Sequence, residues 1–351
     1  MKNSKCFIFQ SIGLVAILLI LLGTVIVYID PYFHYHEPLD KYQYPINNER
    51  YQNDGITRNF EYNAVIAGSS MTECFKTSEF DSLFNARAIK IPYSGGRYKE
   101  VDEAVKRALE RNTSLEYVVR GLDFNYLVID KDSKYYENYP DYLYDENLFN
   151  DVSYVFNKEV LFNDVLEVID YTKRGELTTS FDDYSNWSDE RQSGKAAILD
   201  IYIRPEMASG RVEFDDAAKE MLRLNLEQNV IQTIKENPDV KFYLFFPPYS
   251  IYWWDSQYRS GQIERHLEAE KYAIEMLIPY ENVYLFSFFD AFDMICNADL
   301  YIDTGHYVES VNSQILQWMK SGEHRLTKDN YEEYCDKVAE FLLNYDYDKL
   351  F

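Results

Sequence analysis

Near the N-terminus the 24 residues Cys6–Ile29 (CFIFQSIGLVAILLILLGTVIVYI) carry no charge, and only Gln10, Ser11 and Thr24 are distinctly polar. As a helix the run reaches roughly 36 Å, enough to cross a ~30 Å hydrocarbon core with some tilt. Lys2 and Lys5 precede it and Asp30 follows. The positive-inside rule therefore predicts a cytoplasmic N-terminus and an extracytoplasmic remainder. A cleaved signal peptide is the alternative, but the run is long for such a segment and no small-x-small cleavage site follows it. The expected organisation is a cytoplasmic tail over 1–5, a single transmembrane helix over 6–29, a stalk over 30–60 and an extracytoplasmic domain over 61–351.

Charge narrows the partners. With 35 basic against 59 acidic residues the net charge is −24. A field of that sign repels phosphate backbones, so nucleic acid is excluded as a partner. Four cysteines, at 6, 74, 296 and 335, are too few for a disulfide scaffold and have no zinc-site spacing. His34 and His36 would point the same way along an extended chain, as two metal ligands do, but no third ligand is signalled nearby. No metal and no cofactor are expected.

Beyond the Tyr- and Pro-rich stretch 30–60, short apolar runs alternate with amphipathic ones. Strands are expected over 63–68 (NAVIAG), 86–91, 117–123, 241–246 and 283–288. Helices are expected over 73–83, 97–111, 217–236 and 261–277, with another starting near Val308 and a last one, ending in a frayed tail, over 330–351. Strand–helix alternation of this kind predicts an α/β fold with a parallel sheet covered on both faces. The stretch 128–211, rich in Tyr, Asp and Asn, breaks the rhythm and is expected to be an inserted lid or subdomain over the carboxyl ends of the strands.

Four segments carry residues suited to chemistry. Gly68-Ser69-Ser70 follows the first strand, where a serine is exposed beside helix N-terminal N–H groups. Taken alone, the segment reads more simply as a helix N-cap at Ser70 or Thr72. Gly95 and Gly96 follow the second strand and can bring backbone N–H donors close to a ligand, or simply form a strand-to-helix turn. Gly121-Leu122-Asp123-Phe124-Asn125 ends the third strand, and Asp303-Thr304-Gly305-His306 lies near the C-terminus. A serine nucleophile needs a base, and the base needs a carboxylate to fix its tautomer. His306 and Asp303 can supply both roles from one loop.

Serine after the first strand, glycine after the second, a Gly-x-Asp loop after the third and Asp-x-x-His last: over roughly 63–322 this order resembles the SGNH/GDSL hydrolase superfamily. The resemblance implies a flavodoxin-like three-layer α/β/α fold with Ser70 as nucleophile, His306 as base and Asp303 as its orienting acid. It also implies an oxyanion donor at Gly95 or Gly96. One departure stands out. The family's third block usually offers an Asn side chain to the oxyanion, whereas this chain has Asp123, whose carboxylate can only accept; either Asn125 substitutes as donor, or the oxyanion rests on the N–H groups of Ser70 and a second-block glycine. The anchor and the Gly-x-Ser-x-Thr first block resemble a membrane-anchored branch that includes teichoic-acid D-alanyl transfer and alginate O-acetylation proteins. That branch works beside a membrane-bound acyltransferase on cell-surface polysaccharide. The expected function is a serine-dependent acyl ester transferase or esterase acting on such a polymer. A non-catalytic glycan-binding or assembly subunit is the alternative, and a carboxylate-based metal hydrolase a third.

Overall fold

In the computed structural model the described residues are 2–135, 139–188 and 191–351, with the side chains of residues 2–5 also left undescribed. Tyr136, part of the Tyr-rich stretch, lies outside them. The chain divides into two compact units, one made of 1–61 and 138–180, the other of 62–137 and 181–351.

Unit one begins with helix α1, Lys2–Ile29, whose Cys6–Ile29 portion is long and apolar enough to cross a membrane. Residues 30–60 are not the irregular stalk expected from their composition. Helix Glu49–Asn59 occupies their second half, and Tyr32, Phe33, Tyr44, Ile46 and Ile56 are all buried. Their partners come from the far segment. Tyr154, fully buried, stacks on Tyr32 with ring centroids 5.2 Å apart, and its hydroxyl donates to Asp30 at 2.8 Å. The Tyr32 hydroxyl donates to Asp164 at 2.7 Å. Burial pushes the Asp30 carboxyl up despite the N–H groups of Tyr35 and His36 that it accepts. His34 and His36 do not converge: His34 faces Asp151 at 3.4 Å, and both ring nitrogens of His36 face backbone carbonyls.

Unit two is built on a six-stranded sheet ordered β2-β1-β3-β4-β5-β6. Its strands are β1 Ala64–Gly68, β2 Ala88–Pro92, β3 Tyr117–Gly121, β4 Lys241–Phe246, β5 Val283–Ser287 and β6 Arg325–Leu326. The first five run parallel, and only β6 is antiparallel. β1 and β2 are buried at every position, as strands covered on both faces must be. The α/β reading with a mostly parallel sheet therefore holds. Since the chain runs outward from β1 to β2 and then returns to β3 on β1's other side, the strand order reverses between β1 and β3. Ligands of open α/β sheets bind at the carboxyl ends of strands flanking such a reversal.

Several elements differ from expectation in instructive ways. The segment after β1 forms a short 3-10 turn, Ser70–Thr72, before helix Thr77–Phe84, because its first serine caps that turn rather than a regular helix. The expected 217–236 helix carries a π turn, Glu227–Ile231, between Asp216–Leu226 and Gln232–Glu236. Helix Ile251–Arg259 was not foreseen. The C-terminal tail is not frayed: Tyr347 and Leu350 are buried. Nor is 128–211 one insertion. Residues 138–180 belong to unit one, whereas 181–211 belong to unit two, where Gly194 N–H donates to the Tyr301 carbonyl and Asp182 accepts from Thr77 and Ser78.

Candidate active site

Gly68-Ser69-Ser70 leaves the end of β1, and the two serines divide the work available there. Ser69 is the N-cap of the turn and is buried. Its hydroxyl donates to Asp123 Oδ2 at 2.7 Å. Ser70, the next residue and only half-buried, is thereby freed from capping. Ser70 Oγ lies 2.8 Å from His306 Nε2.

The loop that carries His306 is held tightly. Tyr301 and Tyr307 pair across its base, Ile302 N–H donates to the His306 carbonyl, and Ser250 Oγ donates to the Thr304 carbonyl at 2.6 Å. Asp303 folds back on the loop. Its Oδ1 accepts the N–H groups of Gly305 and His306, each at 2.7 Å, and its Oδ2 lies 2.7 Å from His306 Nδ1. Burial alone would raise the Asp303 carboxyl. The His306 hydrogen bond and charge, with the two N–H groups, outweigh that and hold it below the usual carboxylate range. An ionised Asp303 can only accept, so the proton of a neutral imidazole sits on Nδ1 and the Nε2 lone pair faces Ser70. Trp187, from the part of the expected insertion that joins unit two, meets the His306 ring edge-on at 5.4 Å, and its indole N–H donates to Glu73.

The N–H groups of Ser70, after β1, and of Gly95, after β2, have no acceptor among the described residues. Gly95 adopts φ +67°, a left-handed conformation that costs glycine least, and the ring of Tyr135 lies 3.1 Å from where a Cβ would stand. Gly96, the other expected donor, is used up: its N–H closes a turn onto the Tyr93 carbonyl at 2.6 Å.

Asp123 hydrogen-bonds to Ser69 rather than to Ser70. It is buried and accepts from Ser69 Oγ, from the Tyr249 hydroxyl at 2.6 Å and from Asn125 N–H at 3.1 Å. Burial, followed by the Asp123 charge, pushes the Tyr249 hydroxyl well above its ordinary range, so it stays a donor. Tyr249 also accepts the Phe124 N–H. Asn125 is exposed, with its amide oxygen held by the Trp253 indole N–H at 3.2 Å and its Nδ2 3.4 Å from the Tyr249 hydroxyl. Ser69 lies in the first segment singled out in the sequence, but Tyr249 and Trp187 were missed as parts of this site. Only Tyr249 had a signal, its place just past β4 beside Pro247-Pro248.

Chemically, the arrangement offers a hydroxyl whose proton can pass to a positioned imidazole, a carboxylate fixing that imidazole, and two unsatisfied N–H donors close in sequence to the strand ends. No protein-family model matches the chain, and no curated protein matches it in sequence.

Proposed function

We propose that this protein is a membrane-anchored, extracytoplasmic serine acyl ester transferase or esterase of SGNH-like, flavodoxin-like architecture, acting on a cell-envelope polysaccharide. The observation that carries the reading is the continuous chain Ser70 Oγ–His306 Nε2 at 2.8 Å and His306 Nδ1–Asp303 Oδ2 at 2.7 Å. Residues 236 apart in sequence meet at hydrogen-bond distance where strands end, which structural packing does not require. In the reaction Ser70 Oγ attacks the ester carbonyl as its proton passes to His306 Nε2. The oxyanion so formed is received by the N–H groups of Ser70 and Gly95. His306 then protonates the departing alkoxide, leaving an acyl-serine. A polymer hydroxyl or water, deprotonated by the same imidazole, releases the acyl group. A teichoic-acid-like polymer is the acceptor the family resemblance favours, with a membrane-bound acyltransferase as partner. Helix α1 anchors the chain, with its N-terminus in the cytoplasm.

The commitment of Asp123 and of the Asn125 amide oxygen leaves no side-chain amide dedicated to the oxyanion, which favours as second reading a glycan-binding or assembly subunit on the same fold. A serine-directed phosphonate separates the two. It should label the wild type and Ser69→Ala but not Ser70→Ala. Labelling that survives Ser70→Ala, or full cellular function of that variant, would leave only the binding role.

A further inference from the structure

Unit one carries an apolar surface that its own core does not use. Over residues 147–166, which contain helix Val152–Val155 and the π turn Val160–Val165, the side chains of Leu148, Phe149, Val152, Phe156, Phe162 and Leu166 are exposed, Phe149 by 90%. Single exposed apolar residues are ordinary, but a run of them marks a surface meant for something other than water. The inward side of the segment buries Val160 and Val165 and carries polar anchors. Asp151 accepts from the Tyr35 hydroxyl, Tyr154 donates to Asp30, and Asp164 accepts from Tyr32.

The segment is seated on α1. Val155 Cγ1 lies 2.8 Å, and Phe156 Cε1 3.4 Å, from where a Cβ on Gly23 would stand, so any larger residue would push it away. Phe156, Leu161 and Phe162 line a hollow with Leu19, Leu22 and Ile26. Along α1 these levels lie about 5 to 15 Å before Ile29. A segment packed there cannot remain outside the hydrocarbon if Cys6–Ile29 spans it. Lys158 and Glu159, the exposed charges of 147–163, pair at 3.6 Å, and the lysine stem can carry its ammonium toward the headgroups. At the outer end of α1, Lys41 lies over the rings of Tyr28 and Tyr42 at 4.4 and 5.0 Å, the aromatic and basic pairing of a membrane interface.

We infer that residues 147–166 form a second membrane contact. The segment lies beside α1 in the outer leaflet, its exposed apolar face against phospholipid acyl chains and its buried, hydrogen-bonded side against the rest of unit one. The inference rests on the proposed anchoring of α1.

The test uses the full chain in phosphatidylcholine vesicles brominated along the acyl chains, with tryptophan introduced as Leu18→Trp, Phe149→Trp or Phe162→Trp. The emission added over the wild type is the readout. All three variants should lose most of it to bromine. Quenching of Leu18→Trp alone would overturn this inference and leave the anchor standing. Quenching of none would remove both. A photo-crosslinker at Phe149 in whole cells should yield lipid adducts; a discrete protein adduct in high yield would overturn the lipid assignment in favour of a protein partner.

Discussion

Glu270→Gln should raise the stability of unit two at alkaline pH and leave it nearly unchanged at acid pH. Glu270 is 2% exposed, on helix Ile263–Leu277, with the Ser287 hydroxyl 2.6 Å and the Tyr334 hydroxyl 2.7 Å from its Oε1. Burial raises its carboxyl from 4.5 to about 7, against the lowering effect of those two donors. A folded-state value above the unfolded one means that stability is full below 4.5 and is lost as pH rises through about 7. Over that window the loss is about 1.4 kcal/mol per pH unit, or roughly 3 kcal/mol in all. Glutamine cannot ionise, and its amide oxygen can still accept from both hydroxyls. The two proteins should therefore differ little at pH 4.5 and by about 3 kcal/mol at pH 8. Urea unfolding of the full chain in detergent, followed by tryptophan emission at several pH values, measures the difference. Any fixed cost of fitting the amide shifts all points equally, so the pH dependence of the difference is the test. A difference that stays flat from pH 5 to 8 would refute the reasoning.

Asp303→Asn should lower turnover by about 10⁴-fold, because the amide allows the wrong imidazole tautomer, yet leave phosphonate labelling detectable on long exposure. The Ser70→Ala, His306→Ala double variant should be no slower than Ser70→Ala alone, since the three side chains act as a unit; additive losses in single-turnover assays would break that account. Asp123→Ala should destabilise unit two by roughly 2–4 kcal/mol, because buried hydroxyls of Ser69 and Tyr249 lose their acceptor. An unchanged unfolding midpoint would show that Asp123 does not hold these elements together.

The sheet was legible because its strands announce themselves: five- or six-residue apolar runs such as Ala64–Gly68 can only be buried on both faces, and glycine-bearing turns bound them. Asp303 and His306 were legible because their pairing is local, three residues apart. Unit one was not, since its cohesion is long-range. Tyr32 reaches Asp164 across 132 residues and Tyr154 reaches Asp30 across 124. Tyrosine and aspartate at irregular spacing have no period to read, so the same composition suits a loop, a lid or a polar core. Helix Ile251–Arg259 was hidden for a different reason: Pro247-Pro248 before it reads as a turn, and the cap that starts it, Ser250 accepting from Trp253 N–H, is a single hydroxyl.

The third loop shows how one substitution redistributes a site. An amide at position 123 could donate toward a reacting carbonyl, whereas a carboxylate there must be fed by donors of its own. Ser69 supplies one from the first loop, Tyr249 another from just past β4, and Asn125 N–H a third from the same turn. Asp123 thus ties the ends of β1, β3 and β4 together at the reversal of strand order. That tie fixes Ser69, and a fixed Ser69 sets the direction in which Ser70 leaves the strand. In the proposed reaction the cost falls on the oxyanion, which is then left to the N–H groups of Ser70 and Gly95. Loss of one oxyanion donor typically costs about 3 kcal/mol of transition-state stabilisation. On the proposed function, a site built this way suits slow acyl transfer to a polymer held in place, where water must lose to a bound hydroxyl, better than rapid hydrolysis of freely diffusing esters.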